Sequence, residues 1–284
     1  MTPNSLIVII TATYLIPRFL FLLFHKGDFN LAGVSILILA AITNSLIQKR
    51  SHLKAKSEIV SRFVGFIILA NVCFYAIITL PDYRLLQAMP LLTILGYGLI
   101  ISGANFFQFF WKELLLLLAL AIPFEELLLH TNHLALYTAQ SATFILNLFG
   151  LPATRESIFI YLPTGAVEVT PECAGAISII RLIRLAFIFI FIAPQRFSVS
   201  SLVILGAASL GFITNVIRVV FITIVVAFYY EEGFNFWHHG GGAKTFSLMA
   251  ILFLGLFFYI VESKPYFLKR ISRLSSKIFT GIIQ

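Results

Sequence analysis

Long apolar runs constrain the fold of this chain more than any other feature of its sequence. Of its 284 residues, 60% are hydrophobic and only 11% are charged. Soluble domains carry about 25% charged residues, whereas a helix that crosses a bilayer needs about 20 mostly apolar residues in succession. Strand-like runs are few, and lipid offers backbone groups no partner outside helices or closed barrels. The sequence therefore predicts an all-α integral membrane protein.

The hydropathy pattern predicts about eight transmembrane helices in one polytopic domain that covers residues 1–284. The first apolar run lacks a basic start and a small-residue cleavage site, so it is interpreted as a retained helix and not as a signal peptide. A catalytic core is expected at about 150–262, followed by a basic tail at 263–284. The predicted spans lie at about 5–24, 31–48, 61–80, 85–103, 108–129, 174–193, 199–229 and 245–262.

Basic residues set the predicted orientation. The chain has a net charge of +8, and its lysines and arginines cluster at Lys49–Arg62 and Lys264–Lys277, beside apolar runs. Such clusters mark cytoplasmic segments, so this charge is interpreted as a topology signal and not as a nucleic-acid-binding patch. With eight spans, both termini are cytoplasmic, and loops 130–173 and 230–244 lie on the outer face. The expected location is the inner (plasma) membrane, with the chemistry on the periplasmic side.

The longer outer loop contains its own predicted elements. An amphipathic helix at 138–149 is expected to lie at the membrane interface, and the runs 157–162 and 166–169 predict a small β-hairpin. This hairpin ends close to Cys173, so it would fix the direction from which that thiol meets a substrate.

Cys173 stands where the outer loop enters a membrane-length segment. It follows Glu172 and precedes Gly175, and it is predicted to lie in the first turn of the sixth helix, where the helix dipole favours a thiolate. An accessible Cys with His elsewhere is a candidate nucleophile. Cys73 lies inside an apolar run, so a disulfide between the two is not expected. The alternative is an interfacial Cys without a chemical role.

Arg218 lies within the seventh apolar segment, with Asn215 one turn earlier on the same helix face. A charge at that depth is expensive, normally faces the bundle interior and is a candidate for function. It could stabilise a thiolate and the oxyanion that forms during acyl transfer. Alternatively, it pairs with a structural carboxylate or extends to the interface.

The loop at 230–244 supplies His238 and His239 before a run of glycines. A neutral imidazole near a thiol serves as general base and later as general acid. The alternative is an interfacial His pair beside a Trp belt. No further His or Cys set has metal-ligand spacing, so neither a metal nor another cofactor is predicted.

Two further groups leave their roles open. Arg181 and Arg184 share one face of the sixth predicted helix and could bind a carboxylate or a lipid phosphate, or pair with acids elsewhere. Glu125 and Glu126, followed by His130, could instead belong to a different class of intramembrane protease, although that class carries an Arg at the His position.

The chain resembles the exosortase and archaeosortase family of membrane cysteine transpeptidases. The resemblance rests on Glu172-Cys-Ala-Gly after a hairpin, on Asn215-x-x-Arg218, and on His238 with Gly242 at +4 and Phe246 at +8. The string from Phe234 to Gly240 looks most like the cyanobacterial branch. The similarity is tight over about 168–250 and looser, at the level of span count, over the first 130 residues.

The resemblance implies a function. Such enzymes recognise a C-terminal signal made of a short Pro-Glu-Pro-like motif, a transmembrane helix and a basic end. They cleave near the motif on the outer face and transfer the protein to an acceptor, for which a glycan or a lipid is the candidate. By this resemblance, Cys173 is the nucleophile, Arg218 stabilises the transition state, and His238, or alternatively His239, is the acid and base. The rival interpretation is a carrier or an assembly factor for polysaccharide or anion export without catalysis.

Overall fold

The computed structural model describes residues 16, 18–25, 29–49, 57–78, 83–124, 132–228, 231–238 and 240–281. The chain divides into two compact units. Unit 1 comprises residues 1–127 with 190–193, and unit 2 comprises residues 128–189 with 194–284.

The described part of unit 1 consists of helices and their connections, without a strand. Its helices are α1 (18–25), α2 (Phe29–Gln48), α3 (Ile59–Ile78), α4 (Tyr83–Ser102) and α5 (Asn105–Ala121). The rings of Phe106 and Phe110 stack 4.8 Å apart and are fully buried. Helices α3 and α4 approach closely, because a Cβ at Gly65 would lie 2.7 Å from the carbonyl oxygen of Gly96. Small residues allow such backbone contact between membrane helices.

An ion pair with a buried carboxylate connects the end of α2 to α5. The Glu113 side chain on α5 is fully buried, and its carboxylate accepts hydrogen bonds from the Lys49 ammonium at 2.7 Å and from the Ser45 hydroxyl. A buried carboxylate is costly unless it is paired. The lysine directly after α2 therefore satisfies a charge inside unit 1, in addition to any role as a topology signal.

Unit 2 combines helices with a small sheet. In chain order it contains α6 (Asn132–Leu148), β1 (Thr154–Glu156), β2 (Phe159–Leu162), β3 (Gly165–Glu168), a 3₁₀ turn (Pro171–Cys173), α7 (Ala176–Ile192), α8 (Phe197–Ala227), α9 (Glu231–His238) and α10 (Gly241–Gly281). The last three residues of α7 are grouped with unit 1. The core of unit 2 is built from α6, the sheet and α8.

The sheet is antiparallel, in the order β1-β2-β3. Ile160 and Leu162 of β2 are buried, while Phe159 and Tyr161 alternate with them on the exposed side. This period of two places one face of the sheet against the core. The predicted hairpin is confirmed as the β2–β3 pair, and β1 is an additional strand that the sequence pattern did not indicate.

Helix α6 is longer than the predicted helix at 138–149. It begins at Asn132, and Ala135, Ala139 and Ala142 on one face are fully buried in the core of unit 2. It is thus packed against the protein along this alanine face. The location of its other face at the membrane interface stays a prediction.

Six helical segments in the described part of the chain are long and apolar enough to cross a membrane. They are Leu31–Gln48, Ile59–Ile77, Arg84–Ser102, Pro171–Ile192, Phe197–Ala227 and Gly233–Glu262. The predicted count of eight is not confirmed. Most of the span at 5–24 lies outside the described residues, as do Glu125, Glu126 and His130.

The predicted span at 108–129 corresponds to a shorter helix. Helix α5 has 17 residues and ends at Ala121, and the next residue, Ile122, is extended with φ −80° and ψ 122°. Pro123 follows it, and a residue before proline is driven out of the helical region. The proline therefore ends the helix inside the apolar run.

The packing of α7 against α8 holds the two helices that flank the candidate site. A Cβ at Gly211 on α8 would lie 2.7 Å from the Cα of Ile179 on α7. Since backbone cannot move away as a flexible side chain can, any larger residue must separate the two helices.

We expect Gly211→Ala to lower the thermal unfolding temperature in detergent, because overpacking of a well-packed contact costs roughly 1–3 kcal/mol. Gly255→Ala on α10 is the matched control, since a Cβ there meets nothing within 4 Å. Differential scanning fluorimetry of both variants checks this, and equal unfolding temperatures would contradict the close approach of α7 and α8.

Candidate active site

Cys173 is the last residue of the 3₁₀ turn that follows β3. Its backbone N–H donates to the carbonyl of Thr170 at 2.9 Å, and Pro171 opens the turn. The predicted placement in the first turn of a helix is therefore wrong in detail, because α7 begins only at Ala176. Gly175 has φ +102°, a conformation that interrupts a right-handed helix and that glycine adopts without steric cost.

Two side chains anchor the turn that carries the thiol. The amide Nδ2 of Asn215 donates to the carbonyl of Cys173 at 2.9 Å, and the hydroxyl of Thr138 donates to the carbonyl of Ala174 at 2.9 Å. Asn215 and Thr138 are buried. Because an unpaired buried carbonyl costs about 1–3 kcal/mol, these bonds hold the turn against α8 and α6.

Gly175 also has a packing role. A Cβ at this position would lie 2.7–2.9 Å from the side-chain atoms of Asn215. The missing side chain lets Asn215 reach the carbonyl of Cys173. In the Cys-Ala-Gly run, the cysteine thus supplies the thiol and the glycine supplies the space that Asn215 needs.

The imidazole of His238 meets the thiol. Its Nε2 lies 2.9 Å from Sγ of Cys173, and His238 is the last residue of α9. The ring of Phe234, one turn earlier, stacks on the imidazole with centroids 5.0 Å apart and an interplanar angle of 13°. This stacking restricts the ring orientation in which Nε2 faces the sulfur.

Aromatic packing holds α9 in place. The Trp237 ring makes edge-to-face contacts with two other rings. The centroid distance is 4.7 Å to Phe221 of α8 and 5.8 Å to Phe246 of α10. A Cβ at Gly242 would lie 2.3 Å from the Trp237 ring. The glycine and the aromatic residue found at +4 and +8 from His238 thus create the space and the contact that position its helix.

Arg218 shares a cavity with the thiol and the imidazole. The cavity has a volume of about 570 Å³, and Cys173, Arg218 and His238 line it together with β3 and apolar residues of α8. The Arg218 guanidinium belongs to the wall of this cavity. Its Nε is buried and has no hydrogen-bond partner among the described residues. A donor of this kind is available to an oxygen atom of a bound ligand.

The other predicted site residues lie in different surroundings. Glu172 is exposed and is not among the residues that line the cavity. His239 lies outside the described residues. Arg181 and Arg184 are buried and do not line the cavity, and Nη1 of Arg181 donates to the Ser247 hydroxyl of α10 at 2.8 Å. Arg181 therefore links α7 to α10.

Several residues around the site were not singled out from the sequence. Thr138 lies 35 positions before Cys173 on an amphipathic helix, and no local pattern marks it as an anchor. Phe234 could have been found, because it precedes His238 by four residues and such pairs meet on a helix face. The contribution of Glu168 and Thr170 to the cavity wall follows only from the position of β3.

Within the described residues, no group of three or more His, Cys, Asp or Glu side chains could hold a metal ion. The two cysteines are free. The expectation that the chemistry needs no cofactor stays a prediction.

One family of known proteins matches most of the chain. Residues 29–255, more than half of the chain, match the family model described as transmembrane exosortase (Exosortase_EpsH). The chain therefore belongs to the transmembrane exosortase family, and with its apolar helices it is a multi-pass membrane protein. The comparisons match no curated protein and no solved structure.

We expect His238→Ala to slow any reaction of the Cys173 thiol, because the imidazole at 2.9 Å is the group placed to accept its proton. The rate of alkylation by iodoacetamide, measured in a Cys73→Ala background, checks this. His239→Ala is the matched control and should react as the parent does. Slower alkylation in the His239→Ala variant alone would contradict the assignment of His238 as the base.

Proposed function

We propose that this protein is a membrane-embedded cysteine peptidase and transpeptidase that cleaves a C-terminal sorting signal of exported proteins. The observation that carries the proposal is the 2.9 Å contact between Sγ of Cys173 and Nε2 of His238. This contact lies in a cavity that also contains Arg218, in a chain of the transmembrane exosortase family.

The first step of the proposed reaction forms a thioester. His238 accepts the thiol proton, and the sulfur of Cys173 attacks the carbonyl carbon of the scissile peptide bond. The resulting oxyanion accepts a hydrogen bond from Arg218, whose buried Nε has no partner among the described residues. His238 then donates its proton to the leaving amine, and the C–N bond breaks. Preorganised donors of this kind commonly contribute a factor of about 10²–10³ to the rate.

The second step releases the protein from the enzyme. A nucleophilic amine, hydroxyl or water attacks the thioester carbonyl, loses its proton to His238, and the sulfur leaves as the thiolate. With an amine or hydroxyl acceptor, such as a glycan or lipid, the product is transferred. With water it is hydrolysed. One imidazole serves both half-reactions, because the base of one step is the acid of the next.

The proposed substrate has three parts. A short Pro-Glu-Pro-like motif at the outer face would enter the cavity, a transmembrane helix would lie in the bilayer beside the enzyme, and a basic end would remain in the cytoplasm. This arrangement requires Cys173 on the periplasmic side of the inner membrane and both enzyme termini in the cytoplasm. We assign the chain to the cyanobacterial branch of the family on the string from Phe234 to Gly240.

We predict that Cys173→Ala abolishes processing of a reporter that carries such a signal, because no other described residue that lines the cavity carries a thiol. The size shift of the reporter is followed by immunoblotting at matched membrane expression. Cys73→Ala, which removes the cysteine of α3, is the control and should process the reporter at the parental rate. Processing by the Cys173→Ala variant would contradict the central proposal.

We predict that Arg218→Gln lowers the processing rate by about 10²–10³, which is the effect of removing one donor to an oxyanion. Arg218→Lys should rescue little, because a lysine does not reproduce the rigid donor geometry of a guanidinium. The exposed Arg196 before α8 provides the control, and Arg196→Gln should retain full activity. Parental activity in Arg218→Gln would remove this residue from the mechanism.

The rival interpretation as a carrier makes the opposite predictions. It requires the arginines and tolerates loss of Cys173. Arg181 and Arg184 do not line the cavity that contains Arg218, so the described residues do not form a continuous row of cations along it. Reporter processing by the Cys173→Ala and Cys73→Ala variants therefore distinguishes a carrier from a cysteine peptidase.

A further inference from the structure

Strand β3 has an open edge. It pairs with β2 on one side only and is the last strand of the sheet. The backbone N–H of Val169 donates to the carbonyl of Ile158 at 3.0 Å, which fixes the alternation of the ladder. In an antiparallel pair every second residue turns its backbone groups towards the partner strand. Val167 therefore faces β2, and the N–H and C=O groups of Ala166 and Glu168 face away from it.

These outward groups have no partner among the described residues. With the residues that the structure describes, neither Ala166 nor Glu168 forms a hydrogen bond beyond its own strand pairing. The side chains of both residues are exposed. Unpaired edge groups form a template for another strand, and proteins normally cover or shorten such edges. In the described part of the chain, no further strand pairs with this edge, which lies beside the candidate site.

The open edge belongs to the wall of the reactive cavity. Residues 166–170 line the same 570 Å³ space as Cys173, Arg218 and His238. The remaining wall is largely apolar, with Val219, Ile222 and Val226 of α8. A peptide in this cavity thus finds backbone donors and acceptors along β3, apolar surface on α8, and a thiol three residues beyond Thr170.

We propose that the substrate polypeptide docks as an added strand on the open edge of β3, and that this pairing brings its scissile carbonyl to Cys173. The inference rests on the proposed peptidase function and deepens it. Strand addition derives affinity from main-chain hydrogen bonds and specificity from contacts of alternate side chains. Proline lacks an N–H group, so prolines in the docked segment must occupy positions whose backbone faces away from β3.

Disulfide cross-linking tests the docking separately from catalysis. The full-length enzyme carries Cys73→Ala and Cys173→Ala, with one new cysteine from either Ala166→Cys or Glu168→Cys. The signal-bearing reporter carries a single cysteine at successive positions around its cleavage motif. Both are co-expressed in membranes, oxidised, and analysed by non-reducing gel electrophoresis. Glu156→Cys on β1, exposed at the opposite edge of the sheet, is the matched control.

Strand addition predicts cross-links at alternate reporter positions, because side chains of a strand repeat with a period of two. Moving the enzyme cysteine from 166 to 168 should shift the preferred reporter position by two residues, and Glu156→Cys should give no such pattern. Uniform cross-linking, a pattern that does not shift, or no cross-link from 166 and 168 would overturn the inference. Processing by the parental enzyme is measured in parallel, so a failure of the peptidase function is seen separately.

Discussion

The hydrogen bond from Asn215 Nδ2 to the carbonyl of Cys173 is the interaction on which the site depends. It fastens a short turn to the middle of a long helix in a setting where water is scarce and an unpaired carbonyl is expensive. The left-handed conformation of Gly175 and its missing side chain make the bond possible. Since Arg218 lies one turn further along the same helix, the bond also fixes the thiol relative to the guanidinium. One contact therefore sets both the place of the nucleophile and its electrostatic surroundings.

The two short motifs of the site combine structure and chemistry in the same way. In Asn-x-x-Arg, the first residue clamps the turn and the second lines the cavity. In the His-x-x-x-Gly pattern, His238 meets the sulfur and Gly242 leaves room for Trp237, which packs α9 on α8 and α10. A substitution of Gly242 would thus displace the imidazole of His238 and change the reactivity of the Cys173 thiol. Gly242 itself does not line the cavity.

Much of the site could be predicted from the sequence, because its polar residues are rare in an apolar chain. A thiol at a loop boundary, a guanidinium within an apolar helix and a histidine before glycines each contrast with their surroundings, and they lie in one cavity. The exact helix ends, in contrast, depend on backbone geometry at single residues. The proline at 123 ends a helix that hydropathy alone extends to 129, and Gly175 separates Cys173 from α7. Thr138 and the strand β1 depend on contacts between distant segments, which periodicity does not reveal.

The composition of the cavity bears on both chemistry and recognition. Apart from the thiol, the imidazole, the guanidinium, Glu168 and Thr170, its wall is apolar. In surroundings of low dielectric constant, the attraction between Arg218 and a developing oxyanion is stronger than in water. The same surroundings penalise charged substrate side chains that find no partner. Every polypeptide carries main-chain donors and acceptors, and the open edge of β3 offers partners for them. Segments of different sequence can therefore pair with that edge and enter an apolar site without leaving their peptide groups unpaired.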